Sequence, residues 1–234
     1  MSLEESVVLG RSGLRVGRLG ISSSYGMNER DVARAVEAGM NYVYWGSFRR
    51  DAFAEGIRQL APRRDSFTLV LQSYGRFAFQ VRHSLEKGLR SLRVGHADVL
   101  LLGWWNRPVS QRVLDEAQRL RHRGLVAHLA VSSHQRGQVT IHARNAALGI
   151  LHVRYNAEHP GAEADVFPHL PDPAPGIIAY TATSWKRLLD PSRVPKGEKC
   201  PTAGDCYRFV LSHPAVQVCM TGLANAKELD HALA

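Results

Sequence analysis

The feature that most constrains the fold of this chain is a repeat, in which short apolar runs alternate with amphipathic stretches from residue 18 onward. Eight of the apolar runs have the length of strands, and they cover residues 18–24, 41–45, 66–73, 97–103, 126–133, 150–156, 176–182 and 216–222. The run "ADVLLLG" at 97–103 is almost entirely apolar, which is typical of a parallel strand buried on both faces. Between the runs, apolar residues recur at helical spacing, as they do at Val81, Leu85 and Leu89.

Eight such strand–helix repeats predict an α/β fold of the (β/α)8 TIM barrel type, because short connections and right-handed crossovers let them close into a barrel. An open doubly wound sheet would need Gly-x-Gly-x-x-Gly after its first strand, where this chain has "SSSYGMNE". The runs "VVLG" and "LRV" flank the turn "RSG" and predict an N-terminal β-hairpin that closes the bottom of the barrel. No composition break occurs, so we expect a single domain over residues 1–234.

Composition excludes several classes of partner. The net charge is +9, but the basic residues are spread along the chain without interleaved aromatic residues, so nucleic acid is not expected. We find no signal peptide and no run of the ~20 apolar residues that a membrane helix needs, which predicts a cytoplasmic protein. The three cysteines, Cys200, Cys206 and Cys219, lack the spacing of zinc ligands and cannot form a disulfide framework, so no metal site is predicted.

Several segments together resemble the aldo-keto reductases, in the same order and over essentially the whole chain. They are "VVLGRSGLRVGRLGISS", "GMNYVY", "SLRVGHADVLLL", "RGLVAHLAVSSH", "LHVRYN", "GIIAYTA" and "VCMTGLANAKEL". The resemblance implies a barrel that reduces carbonyl compounds with NADP(H), using an Asp, Tyr, Lys and His tetrad. In that chemistry Tyr protonates the carbonyl oxygen, Lys lowers the pKa of Tyr, Asp pairs with Lys, and His orients the carbonyl.

The positions that the resemblance assigns to this tetrad carry other residues. Tyr44 stands in the Asp place, Arg49 in the Tyr place, Gln72 or Ser73 in the Lys place, and Gly103 or Trp104 in the His place. No lysine precedes Lys87, so the third barrel strand supplies none. We therefore expect at most very weak reduction of ordinary aldehydes.

The resemblance also implies cofactor-binding positions. They are Ser132, Ser133 and Tyr180 at the nicotinamide, with His152 in the place of a Gln, and Gly222, Asn225 and Lys227 at the phosphates. A glycine turn that opens a helix can bind phosphate through free N–H groups. Ala224 replaces the usual Arg there, and Lys227 is a substitute one turn away, so the alternatives are NADP(H) as the cofactor or no cofactor.

Active sites of such barrels lie at the carboxyl ends of the strands. The catalytic candidates there are Tyr44, Arg49, His134 and His152, and the candidates for substrate binding are Trp45, Trp104, Trp105 and Arg154.

Several of these candidates have two interpretations. The two adjacent tryptophans either plug the mouth or form a stacking wall for a flat ligand. Arg154 lies on the strand face of His152 and either binds a ligand carboxylate or phosphate, or pairs with Asp165 or Glu158. His134 is either a general acid or base, or a surface residue at a helix N-terminus.

We therefore expect a divergent enzyme that acts on a small aromatic or carboxylated molecule. Its chemistry is either NADP(H)-dependent oxidoreduction with substitute acids or acid–base chemistry without redox. The alternative is a catalytically silent barrel used for ligand binding or protein interaction. Whether the chain is catalytic, and its oligomeric state, stay open at this point.

Overall fold

The computed structural model describes residues 6–233, and its first two strands form an antiparallel hairpin. These strands are β1 (Ser6–Val8) and β2 (Arg15–Gly17). Leu9 and Val16 are fully buried in the apolar cluster inside the barrel. Gly10 forms a bridge with Pro175, directly before a barrel strand, so the hairpin covers the N-terminal end of the barrel. The predicted hairpin is confirmed within the described residues.

Eight further strands form a closed barrel, and every neighbouring pair is parallel. They are β3 (Leu19–Ser22), β4 (Tyr42–Trp45), β5 (Thr68–Ser73), β6 (Ala97–Leu102), β7 (Val126–Ser133), β8 (Ile150–Arg154), β9 (Gly176–Tyr180) and β10 (Val218–Met220). Around the barrel the order follows the chain, and β10 closes onto β3. The predicted (β/α)8 barrel is therefore confirmed.

A helix follows each barrel strand. The helices are α1 (Glu29–Glu37), α2 (Asp51–Leu60), α3 (Ala78–Leu92), α4 (Gln111–His122), α5 (Arg136–Ala143), α6 (Ala162–Asp165), α7 (Ala203–Ser212) and α8 (Ala226–Leu233). Asn28 caps α1 by accepting a hydrogen bond from the backbone of Asp31 at 2.9 Å, as its sequence position predicts. The helix α6 is a single turn, and a 3-10 turn over Phe167–His169 follows it.

Side chains alternate between two apolar layers along each strand, because successive residues of a strand point to opposite faces. On β4, Tyr42 and Tyr44 belong to the inside of the barrel, whereas Val43 and Trp45 pack in the layer between strands and helices. The strand register sets Ser132 beside His152. Inward residues near the strand ends therefore meet at the C-terminal mouth.

Two kinds of feature are missing from residues 6–233 of the structure. No helix in that range is long and apolar enough to cross a membrane. The three cysteines are free, and no group of His, Cys, Asp or Glu in the range has the arrangement of a metal site.

Candidate functional site

A cavity of about 1090 Å³ opens at the C-terminal mouth of the barrel. Its strand residues include Ser22, Tyr44, Gln72, Ser132, His152 and Tyr180, all at or near the carboxyl ends of their strands. This volume lies just above the range of about 300–1,000 Å³ found for small-molecule sites. The cavity is therefore the candidate functional site.

A cluster of neutral hydrogen-bonding groups lies in the cavity wall at Tyr44. The Tyr44 hydroxyl donates to Gln72 Oε1 and lies 2.9 Å from Ser47 Oγ. Ser47 Oγ lies 2.6 Å from the Tyr74 hydroxyl and 3.3 Å from Gln72 Oε1. We call Tyr44, Ser47, Gln72 and Tyr74 the hydroxyl–amide cluster. It contains no cation and no carboxylate.

The cluster occupies the places that the resemblance assigns to the charged tetrad. Tyr44 and Gln72, in the Asp and Lys places, form a neutral hydrogen bond where the family has an ion pair. Gly103, in the His place, has no side chain, and a Cβ there would collide with the Gln72 amide nitrogen. The glycine therefore leaves room for the Gln72 amide. Among the described residues Gln72 Nε2 donates no hydrogen bond, and Gln72 lines the cavity.

The proton of the Tyr44 hydroxyl is firmly held. Burial raises the pKa of Tyr44 well above its ordinary value of 10, and the nearby Tyr74 raises it further, against the lowering effect of the Ser47 hydrogen bonds. No lysine approaches Tyr44 among the groups that act on its pKa. Tyr44 is therefore a hydrogen-bond donor at neutral pH rather than a strong general acid.

His152 lies inside the barrel with its imidazole hydrogen-bonded to a second tyrosine. His152 Nε2 and the Tyr42 hydroxyl are 2.9 Å apart. Burial lowers the pKa of His152 from its ordinary value of 6.5 to about 3. The side chain lines the cavity, but the imidazole stays neutral above about pH 3. His152, a catalytic candidate of the sequence, is therefore a neutral hydrogen-bonding group near neutral pH.

The buried neutral imidazole makes stability depend on pH. In the unfolded chain His152 protonates below about pH 6.5, whereas in the folded chain it does so only below about pH 3. Between these values the unfolded state binds more protons, so His152 lowers stability as the pH falls. When the pH falls from 7 to 5, the unfolding free energy of the wild type is therefore expected to decrease. In the His152→Gln variant we expect this decrease to be smaller by about 2 kcal/mol.

Urea denaturation at both pH values measures this difference. The matched control is His122→Gln, the same substitution at an exposed histidine on α4. An equal loss of stability in wild type and His152→Gln would show that the folded protein binds a proton at His152 near pH 5.

The two adjacent tryptophans have different environments. Trp104 is 55% exposed at the rim and adopts a left-handed backbone conformation with φ of 55°. Its backbone is held by Ser132 Oγ, which accepts from its N–H at 3.0 Å, and by Arg76 Nη2, which donates to its carbonyl at 3.0 Å. Trp105 is 2% exposed and packs in the outer apolar layer. Trp104 therefore forms a wall of the cavity, and the expectation that Trp105 contacts substrate is wrong.

Two further predicted site residues point away from the cavity. The Arg49 guanidinium donates to the Gln72 carbonyl at 2.8 Å and to Ser84 Oγ at 3.3 Å on α3, and it stacks on Trp45. Trp45 follows the inward Tyr44, so the strand alternation directs it outward into the layer of the helices. The placement of Arg49 and Trp45 at the mouth was therefore wrong.

Arg154 and His134 lie together at the edge of the mouth. Arg154 Nη2 is 3.0 Å from His134 Nδ1, and the Arg154 guanidinium carbon is 5.1 Å from the centre of the Trp185 ring. His134 and Trp185 line the cavity, whereas Arg154 does not line it and contacts these two residues that do. The alternative partners of Arg154 are used elsewhere, since Asp165 pairs with Arg136 and Glu158 pairs with Arg187.

The predicted nicotinamide end is only partly present in the cavity. Ser132, His152 and Tyr180 line it, and burial raises the pKa of Tyr180 to about 12. Ser133 points outward, where its hydroxyl donates to Asn106 Oδ1 at 3.0 Å. A flat ring could therefore stack on Tyr180, but one of the two serines expected to bind its amide group is bonded elsewhere.

The predicted phosphate end does not fit phosphate groups. The Ala224 N–H, in the turn before α8, donates to Glu228 Oε2 at 2.9 Å, and the other Glu228 oxygen pairs with Lys186 at 2.9 Å. Asn225 Oδ1 accepts from the Glu228 N–H at 3.0 Å and so caps the helix. A carboxylate thus occupies the end of α8 that would bind phosphate, and like charges repel. Lys227 is exposed and does not line the cavity.

Some residues of the cavity have no counterpart among the sequence candidates. They include Ser47 and Tyr74 of the hydroxyl–amide cluster, Trp185 and Lys186 in the loop after β9, and Glu228 of α8. Tyr74 directly follows β5 and Ser47 comes two residues after β4, so their position just beyond the strand ends could have identified them. The sequence of the loop after β9 has no apolar periodicity from which the direction of its side chains could be predicted. Thr181, Ser184, Trp185 and Lys186 all have left-handed φ values there.

Comparison with known proteins identifies the fold. The sequence matches none of the protein-family profiles and none of the curated proteins with which it was compared. The structure is similar to the holo form of the aldo-keto reductase AKR11C1 from Bacillus halodurans, with a TM-score of 0.79 and 15% identity over 98% of this chain and 89% of that chain. The apo form of the same enzyme has a TM-score of 0.78 and 17% identity over the same shares.

A protein from Pseudomonas aeruginosa that is proposed to be an aldo-keto reductase is also similar. It has a TM-score of 0.77 and 20% identity over 100% of this chain and 95% of that chain. This chain therefore has the fold of the aldo-keto reductases, and the resemblance found in its sequence is confirmed at the level of the fold.

Proposed function

We propose that this protein binds a small aromatic carbonyl compound in the mouth cavity and acts on it by polarising the carbonyl oxygen with neutral hydrogen-bond donors. The observation that carries the proposal is the hydroxyl–amide cluster, which stands where the charged tetrad is expected. The aldo-keto reductase fold suggests oxidoreduction, and polarising a carbonyl is the part of that chemistry that these residues support.

The cluster supplies donors rather than bases. Gln72 Oε1 accepts from Tyr44 and Ser47, so its NH2 group is left to donate into the cavity. A carbonyl oxygen that accepts from fixed donors carries more negative charge, and its carbon becomes more electrophilic. Because the pKa of Tyr44 is raised, the cluster stabilises this charge by hydrogen bonding without giving up a proton.

The cavity wall favours a flat aromatic ligand. The Trp104 ring lies at the rim, edge to face with Tyr74 at 5.4 Å between ring centres and with His134 at 5.2 Å. Tyr180 and Trp185 line the cavity as well. Aromatic side chains bury large areas and stack on planar groups, so they select for a ring.

A second function is NADP(H)-dependent reduction of the same carbonyl with the cluster as substitute donor. The specific observation in its favour is that Ser132, His152 and Tyr180, the positions of the nicotinamide end, line the same cavity. The carboxylate at the phosphate end argues against tight binding of the dinucleotide. We therefore place carbonyl binding first and reduction second.

The proposal is tested with 4-(dimethylamino)cinnamaldehyde, whose visible absorption moves to longer wavelength when its carbonyl oxygen accepts hydrogen bonds. We expect saturable binding to the wild type with such a shift. Tyr44→Phe removes the hydroxyl that holds Gln72 Oε1, so the Gln72 NH2 group is no longer fixed as a donor toward the cavity. This variant is expected to reduce the shift and to weaken binding by roughly 2- to 10-fold, as for a neutral hydrogen bond.

The matched control is Tyr25→Phe, the same chemical change at a cavity residue outside the cluster, which is expected to keep the full shift. Absence of saturable binding to the wild type contradicts the proposal. An equal shift in wild type and Tyr44→Phe would show that other donors contact the carbonyl.

A further inference from the structure

We infer that the ligand of the mouth cavity also carries a carboxylate, which Arg154 and His134 bind on the side of the mouth opposite the hydroxyl–amide cluster. The inference rests on the proposed function, since it names the second polar group of the same ligand. The substrate class is then an aromatic compound with a carbonyl at one end and a carboxylate at the other.

Arg154 is a cation without an anion. Among residues 6–233 it forms no ion pair, although thirteen ion pairs occur there and several involve neighbouring arginines. Its Nε is buried without a hydrogen-bond partner, and within the same range only Nη2 has one. A partly buried guanidinium is stabilised by a carboxylate that accepts two of its N–H groups side by side. No carboxylate within residues 6–233 takes that place.

His134 is a second donor beside Arg154. Arginine has only donors, so His134 Nδ1 must accept from Arg154 Nη2, and the ring proton of the neutral imidazole is then on Nε2. His134 Nε2 is buried and has no partner. Burial and the Arg154 charge both lower the pKa of His134, and a lower pKa favours the neutral imidazole. Arg154 and His134 thus present donors without acceptors, which is the pattern of a site for an anionic oxygen.

The surroundings favour a carboxylate on an aromatic ring. Trp185 lies under the Arg154 guanidinium, and Trp104 and Tyr180 contact the His134 ring region at 5.2 and 6.0 Å between ring centres. One arginine balances one negative charge, whereas a phosphate would bring about two. A monoanionic aryl carboxylate therefore matches both the charge and the walls.

The positions of Arg154 and Tyr44 in the barrel determine that the two polar ends of the ligand must be separated. Arg154 lies on β8 and Tyr44 on β4, which are four places apart in the order of eight barrel strands. Strands four places apart face each other across a closed barrel of eight. A ligand that reaches both sites must span the mouth, and a rigid aromatic spacer holds its two ends at a fixed separation.

The test compares two probes that differ in one group, 4-carboxycinnamaldehyde and its neutral amide 4-carbamoylcinnamaldehyde, by isothermal titration calorimetry. For the wild type we expect the carboxylate to bind at least about 10-fold tighter than the amide, as for a charged hydrogen bond. Arg154→Met is expected to remove this preference and to leave the affinity for the amide within about 2-fold. Circular dichroism and thermal unfolding check that the variant folds.

Arg187→Met is the matched control, because Arg187 belongs to the loop that carries Trp185 but pairs with Glu158 at 2.6 Å. It is expected to keep the preference for the carboxylate. Equal binding of both probes to the wild type overturns the carboxylate site and leaves the proposed function standing. Failure of both probes to bind overturns both. If the preference survives in Arg154→Met, Arg154 is not the group that binds the carboxylate.

Discussion

Reduction of an aromatic aldehyde by NADPH is expected to be at least about 10²-fold slower in this protein than the roughly 1–10 s⁻¹ of ordinary enzymes, because general acid catalysis contributes about 10²–10⁴-fold. The acid of the tetrad depends on a lysine that lowers the pKa of a tyrosine. Here the nearest substitute, Tyr44, is bonded to the neutral Gln72, and burial raises its pKa. The chemical step therefore lacks its proton donor even when a carbonyl is bound and polarised.

Slow reduction has two separable causes, weak cofactor binding and slow chemistry. Nicotinamide fluorescence on titration with NADPH measures the first, and single-turnover absorbance at 340 nm with 4-nitrobenzaldehyde measures the second. Glu228→Gln removes the charge at the phosphate end and is expected to tighten NADPH binding by roughly 10-fold, because like charges repel but the Lys186 pair already offsets part of the Glu228 charge. The same variant is expected to leave the single-turnover rate unchanged, because the tetrad positions are not altered.

Turnover of 1 s⁻¹ or more by the wild type would contradict this expectation and would require another proton donor at the mouth. Tight NADPH binding by the wild type, without improvement in Glu228→Gln, would show that the phosphates bind away from the start of α8. The two results are independent, so the experiment separates the cofactor site from the chemistry.

The barrel could be predicted from the sequence because its determinants are local. Each strand is a short apolar run, and each long helix has an apolar stripe and end signals such as the Asn28 cap. The segment after β8 has no such apolar stripe, and Pro168 follows the single turn of α6 in a 3-10 turn. Pairing of β10 with β3, which closes the barrel, follows from the number of repeats rather than from either strand alone.

Site residues could be predicted only on the strands, where the alternation of residues determines whether a side chain points into the barrel or outward. Tyr44, Ser132, His152 and Tyr180 are inward residues near strand ends, and all four line the cavity. The same alternation directs the Trp45 and Ser133 side chains outward. The prediction of Trp45 as a site residue rests on its aromatic character, and that of Ser133 rests on its family counterpart.

Residues beyond the strand ends depend on tertiary contacts that the sequence does not display. Arg49 turns toward the Gln72 carbonyl and α3, and Trp105 turns into the outer layer while Trp104 does not. The direction of the two tryptophans depends on the left-handed conformation of Trp104, which Ser132 and Arg76 hold in place. A left-handed conformation is uncommon for a bulky residue and is not predicted by local sequence.

Because Trp105 is buried and Trp104 is exposed, replacing each by alanine is expected to affect stability and ligand binding in opposite order. Trp105→Ala is expected to lower the unfolding free energy by about 3–5 kcal/mol, because it empties a fully packed site in the outer layer. Trp105 is 2% exposed and also stacks under the Arg76 guanidinium at 4.8 Å, so the loss extends to the residue that holds the rim. Trp104→Ala is expected to cost less than about 1 kcal/mol, because more than half of that side chain is exposed.

The order of the two effects reverses for ligand binding. Trp104→Ala removes a wall of the cavity and is expected to weaken binding of an aromatic aldehyde by about 5- to 10-fold, the size of an aromatic contact of roughly 1–1.4 kcal/mol. Urea denaturation gives the stabilities, with an unchanged slope as evidence that the unfolded state is comparable, and calorimetric titration gives the affinities. Each variant is the control for the other, because both remove the same side chain from adjacent positions. Equal losses of stability would mean that the Trp104 ring packs as a plug in solution, and the wall of the cavity would then have to be formed by Trp185 and Tyr180 alone.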